Sequence, residues 1–127
     1  MKTPDVIYGG MDGVITTLTT IMAASAAELK PAIILTVGVA KIVADAYSMA
    51  VGRYLSEPDS TREVLETFVS FVVAGMIPLV PYILNVHGGS NLSIILSLVV
   101  FWYLGKLQGI GLGLSAAGIS YIVAKNI

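Results

Sequence analysis

Lys41, Asp45, Met49 and Arg53 follow one another at intervals of four residues inside an apolar stretch. On a helix that spacing stacks them along one face. A carboxylate and a thioether one turn apart offer a divalent ion of borderline softness one hard and one soft ligand. Taken alone, Met49 is read more simply as apolar filling between helices. Upstream, Asp12 is followed at helical spacing by Thr16, Thr19 and Thr20, so a first helix presents a carboxylate continued by hydroxyls. The threonines can be satisfied by carbonyls of their own helix, which is the simpler account of them. A carboxylate has no such local solution, so Asp12 is read as functional.

The surroundings of these side chains are apolar. The chain has 127 residues, 56% hydrophobic and 12% charged, with a mean hydropathy of +0.88, whereas a soluble domain carries about 25% charge. At about 20 apolar residues per spanning helix, it has room for roughly five helices and little else. A soluble catalytic domain is excluded, and the fold class expected is an all-α membrane protein. In that setting Asp12, Lys41 and Asp45 each cost about 2.5 to 3.5 kcal/mol at a helix centre, so they must pair, line water or bind something.

Seven Lys and Arg against eight Asp and Glu leave a net charge of -1, with no basic surplus for a phosphate backbone, so nucleic acid is not a partner. The absence of cysteine removes disulfides, zinc thiolates and thiol nucleophiles together. No Ser/His, paired-Asp or metal-protease motif falls in the apolar stretches, so the protein is not read as an enzyme and no cofactor is expected. No nucleotide-binding motif is present either, which leaves an ion gradient as the driving force for any transport.

Breakers divide one transmembrane domain, 1–127, into five spans expected at 6–27, 31–55, 63–84, 92–105 and 110–125. Pro31 suits a helix N1 position. The second span, about 37 Å long, exceeds the roughly 30 Å hydrocarbon core, so its end, carrying Arg53, should project into water. Ser60 and Glu63 have capping-box spacing for the third span. Pro78 and Pro81 should kink its far end and leave carbonyls for a neighbour or water. The last two spans are short, joined by Lys106, Leu107, Gln108 and Gly109.

Five spans without an internal repeat cannot form two equal bundles, so a complete pathway would need a second copy. Beside the polar stripe runs another of small residues, Ala40, Ala44, Ser48 and Gly52, which lets two helix backbones approach closely. A homodimer is the expectation. With five spans, Lys2, Arg53, Arg62 and Lys106 fall on one side and Lys30 and Lys125 on the other, which predicts a cytoplasmic N-terminus and an exported C-terminus.

Weaker signals lie elsewhere. Glu57, Asp59, Glu63 and Glu66 make the cytoplasmic loop acidic; this suits a helix N-terminus and would also serve as a funnel for cations. Gly109, Gly111 and Gly113 read as packing glycines, since no strand precedes them and no acidic residue follows. His87, the only histidine, lies in the exported turn and reads as solvated. The sequon Asn91, Leu92, Ser93 abuts the bilayer. A secretory leader fits poorly, because the first apolar stretch holds Asp12 and four threonines.

Five strings carry a resemblance: MDGVITT (Met11 to Thr17), ADAYSMAVGRYLS (Ala44 to Ser56), SFVVAGMIPLVPYIL (Ser70 to Leu84), FWYLGKLQG (Phe101 to Gly109) and GLGLSAAGISYIVAK (Gly111 to Lys125). In this order they resemble the vacuolar iron transporter family, whose members move ferrous and manganous ions. The resemblance implies a homodimer of five-helix protomers with the N-terminus cytoplasmic, exchanging metal for protons across a vacuolar, organellar or plasma membrane. It implies an ion path between protomers that includes Asp12, Asp45 and Met49, with Asp5 just before the first helix.

Two departures from the family pattern stand out. Many members carry a helical metal-capturing domain between the second and third spans, where this chain has only a short loop, as in the plant nodulin-like branch. Glu57, Asp59, Glu63 and Glu66 would be its substitute. Where members often have Glu or Asn, this chain has Lys41, which would gate or compensate charge at the ion site. A rival reading is a transport-inactive paralogue, a structural or regulatory subunit in which Lys41 and Asp45 neutralise one another.

Overall fold

The computed structural model describes residues 4–85 and 89–127. His87 and Lys2, read above as a solvated loop residue and as an orientation signal, lie outside them. Among the described residues there are helices and no strands: α1 (Pro4–Ala26), α2 (Pro31–Ser56), α3 (Thr61–Met76), a 3-10 turn at Ile77–Leu79, α4 (Val80–Ile83) and α5 (Gly89–Lys125). Four helical stretches are long and apolar enough to cross a membrane, Pro4–Ala26, Pro31–Ser56, Thr61–Ile83 and Gly89–Lys125. The fourth and fifth of the five expected spans thus differ from expectation in one respect: 92–105 and 110–125 fall within a single stretch.

Local chemistry sets most of the ends. α1 closes through Glu28, which takes a left-handed φ of 58° while its N–H donates to the Ser25 carbonyl and that of Leu29 to the Ala24 carbonyl, the paired bonds of a Schellman closure. Pro31 then opens α2 at its first turn. The capping box expected at Ser60 does not form. Ser60 precedes α3 without a side-chain cap, because its hydroxyl donates back to the Glu57 carbonyl at 2.6 Å. The proline kink takes the form of the 3-10 turn, and the carbonyl of Pro78 within it accepts a hydrogen bond from Ser93 on α5 at 2.5 Å.

α1 is the central helix. One core of Ile21, Ile34, Ile42, Phe71 and Leu79 joins it to α2 and α3. A second, of Val14, Leu18, Ala74, Phe101 and Ala117, joins it to α3 and α5. The approach to α3 is close enough that a Cβ on Gly9 would lie 2.5 Å from the Thr67 carbonyl oxygen, and one on Gly13 would strike the Phe71 carbonyl. Two glycines four residues apart therefore form the crossing point. Between the helices, Ser70 donates to the Val6 carbonyl at 2.6 Å and Ser120 to the Thr19 carbonyl at 2.9 Å.

α5 is interrupted at Lys106, where φ 54° and ψ -142° lie outside helical space. A Cβ on Gly109 would meet the Phe101 carbonyl oxygen at 2.5 Å, and one on Gly113 would run into the Phe101 ring. At 1.5 Å of rise per residue, these positions would lie far apart on a straight helix, so the chain reverses at Lys106. Gly109 and Gly113 are packing glycines, as expected; Gly111 faces open space.

Candidate functional site

The polar groups of α2 divide into two clusters. In the first, the Lys41 ammonium lies 3.1 Å from the Asp45 carboxylate, with 46% and 37% of the two side chains exposed in the single chain. Opposite them on α1, half-buried Asp12 is hydrogen-bonded to Thr16 and within electrostatic reach of both Asp45 and Lys41. Two carboxylates and an ammonium from adjacent helices are thus brought near one another, and the ammonium compensates one of the two negative charges. The hydroxyls of Thr19 and Thr20 donate to the Thr16 carbonyl at 2.9 and 2.8 Å, so the threonine stripe is satisfied by its own helix.

The second cluster sits one to two turns further along α2. Met49 packs against the core of Ile42, Ala46 and Phe71 and also lines a cavity of about 470 Å³ with Tyr8, Arg53, Glu57, Thr67 and Phe68. Arg53 reaches Asp5 on α1 at 3.6 Å and Glu57 at 3.2 Å. Asp12 and Asp45 do not line this cavity. Within one chain, then, Met49 and Asp5 group with Arg53, and the two membrane-embedded carboxylates group with Lys41. Lys41 also borders a cavity of about 460 Å³ at the other end of the helices, with Thr19, Thr20 and Ala23.

The acidic loop residues are dispersed. Glu57 is held by Arg53, Glu66 lies 4.0 Å from exposed Arg62, Glu63 sits in the first turn of α3, and Asp59 is exposed. Among the described residues, no group of three or more His, Cys, Asp or Glu is placed to hold a metal ion.

Among the described residues, nothing packs over the small-residue stripe. Ala40, Ala44, Ser48 and Gly52 are all exposed, a Cβ on Gly52 would meet nothing within 4 Å, and the surface around Ala44, Ser48 and Gly52 is a shallow depression edged by Tyr47 and Val51. The opposite face of α2, Ile34, Gly38, Ile42 and Ala46, is buried against α1 and α3.

Tyr8, Thr67 and Phe68 were not legible as cavity residues from the sequence. Tyr8 lies one turn before Asp12, and that spacing is the only local sign of it. The Arg53–Asp5 pairing joins groups far apart in sequence and left no local sign.

A family model described as the VIT family matches residues 3–67, about half of the chain, spanning α1, α2 and the first part of α3 and including both polar clusters. Neither curated proteins nor solved structures give a match.

Proposed function

The chain belongs to the VIT family, and from that membership we propose that it is an integral membrane transporter of divalent iron or manganese, working as a homodimer and exchanging metal for protons. The observation that carries the reading is the family match, since it covers the segment in which Asp12 on α1 comes within electrostatic reach of Asp45 and Lys41 on α2. Asp12 and Asp45 supply anionic oxygens, Met49 supplies a thioether that favours iron and manganese over magnesium and calcium, and Asp5 receives the ion from the cytoplasmic side. Glu57, Asp59, Glu63 and Glu66 raise the local cation concentration at the loop without forming a chelate.

The dimer completes what one chain leaves open. A second α2 against the exposed Ala44, Ser48 and Gly52 covers the half-exposed Lys41–Asp45 pair, which lipid would otherwise face, and brings a second set of ligands to the path. The reversal at Lys106 divides α5 into two limbs, giving five crossings per protomer with the N-terminus cytoplasmic, in a vacuolar, organellar or plasma membrane. Metal then leaves the cytoplasm.

A second reading is favoured by the Lys41–Asp45 distance of 3.1 Å. If that pair is permanent, Asp45 is not available to metal and the chain is a transport-inactive structural or regulatory subunit. Flux of Fe2+ and Mn2+ into vesicles holding the pure protein, with a proton gradient applied in either direction, decides between them. Transport of either ion supports the first reading; a dimer that moves neither supports the second.

A further inference from the structure

Arg53 occupies a position that ligand chemistry does not account for. It lies one turn closer to the water-facing end of α2 than Met49 and Ala50, and all three line the 470 Å³ cavity. Its Nε is shut off from solvent and lies 3.2 Å from Glu57 without the alignment of a hydrogen bond, and its Nη1 is 3.6 Å from Asp5. Both contacts are ion pairs without tight directional bonding, so they can be exchanged. Among the described residues, two carboxylates face one guanidinium there, a net negative set. Such a mouth attracts cations, yet any cation entering meets a fixed positive charge first.

We propose that Arg53 is the gate of this cavity: a tethered cation that holds Asp5 and Glu57 together across the mouth and must leave Asp5 before an ion can reach Met49. The gate also selects. A divalent ion competes for the two carboxylates more strongly than a monovalent one, because the attraction scales with charge. Neither Asp5 nor Arg53 belongs to the two buried cores, so releasing this pair leaves both cores intact. The identity of the ion rests on the transport reading above; the gate does not.

The chain contains no cysteine, so Ala50→Cys places a single thiol inside the cavity, and Ala23→Cys places a control thiol in the cavity at the other end. Each is titrated in detergent, without metal, with an uncharged hydrophilic methanethiosulfonate, so that loss of charge does not itself change the reagent concentration at the mouth. Arg53→Gln and Asp5→Asn break the same contact from opposite sides. Each should raise the modification rate of the Ala50→Cys thiol by roughly two- to fivefold, the population shift expected when a partly exposed ion pair is lost, and leave the Ala23→Cys rate unchanged. An unchanged rate at the Ala50→Cys thiol in both variants overturns the gate, as does an equal rise at the control, which reports general loosening. Because no metal is present, a chain that gates but moves no ion in vesicles keeps this proposal and loses the transport reading.

Discussion

The Nζ of Lys41 lies 3.1 Å from the Asp45 carboxylate, one turn away on the same face of α2, so a metal ion that uses Asp45 must displace an ammonium. Lys41→Gln keeps the length of the side chain and removes the competitor. Mn2+ binding should tighten by roughly fivefold, the scale of a single ion pair at a partly exposed site, as read by calorimetry on the detergent-solubilised protein. Unchanged affinity with an intact dimer would mean that Lys41 extends into the cavity beside Thr19 and Thr20 and never meets the ion.

Asp12 and Asp45 carry the proposed ligand role, and neither is part of an apolar core. Asp12→Asn and Asp45→Asn should each abolish flux in vesicles while helical content and dimer elution stay as in the parent. Met49→Leu conserves volume, so it should leave the fold unchanged and reduce discrimination of iron and manganese against magnesium and calcium. Undiminished flux in both Asn variants would place the path elsewhere.

Ala44 and Ser48 are exposed on the face of α2 that no described residue covers. Replacing either with Leu should hold two α2 backbones apart and shift crosslinked dimer toward monomer, with no loss of helical content. Persistence of the dimer in both variants would locate the interface on another face.

Two backbone sites predict stability changes of opposite sign. A Cβ on Gly9 would stand 2.5 Å from the Thr67 carbonyl oxygen, so Gly9→Ala must separate α1 from α3 and should destabilise by about 1 to 3 kcal/mol, as overpacking does. Lys106 holds φ 54° and ψ -142°, a conformation natural to glycine, and Lys106→Gly should stabilise by about 1 kcal/mol. Thermal unfolding in detergent reads both. A melting temperature lowered by Lys106→Gly would show that the Lys106 side chain contributes more than its strain costs.

Membrane residence, the helix start at Pro31, the kink at Pro78 and Pro81, and the Lys41–Asp45 pair were all legible in the sequence. Membrane residence follows from composition over the whole chain, and the other three depend on neighbours within a turn or two, where local helix geometry decides which groups meet. The capping box at Ser60 shows the limit of that reasoning, because a hydroxyl that could accept from a backbone N–H of the α3 first turn instead donates to the Glu57 carbonyl. Tertiary structure decided that α1 is central, through Gly9 and Gly13 against α3, and that Arg53 reaches Asp5. It also decided that Met49 lines a cavity apart from Asp12 and Asp45 although it shares a helical stripe with Asp45, and that Phe101 packs against Gly109 and Gly113. The physical reason is common to all four. In helices apolar on every side, hydrophobicity does not mark the face turned inward, and packing of small residues and polar contacts between distant segments makes the choice.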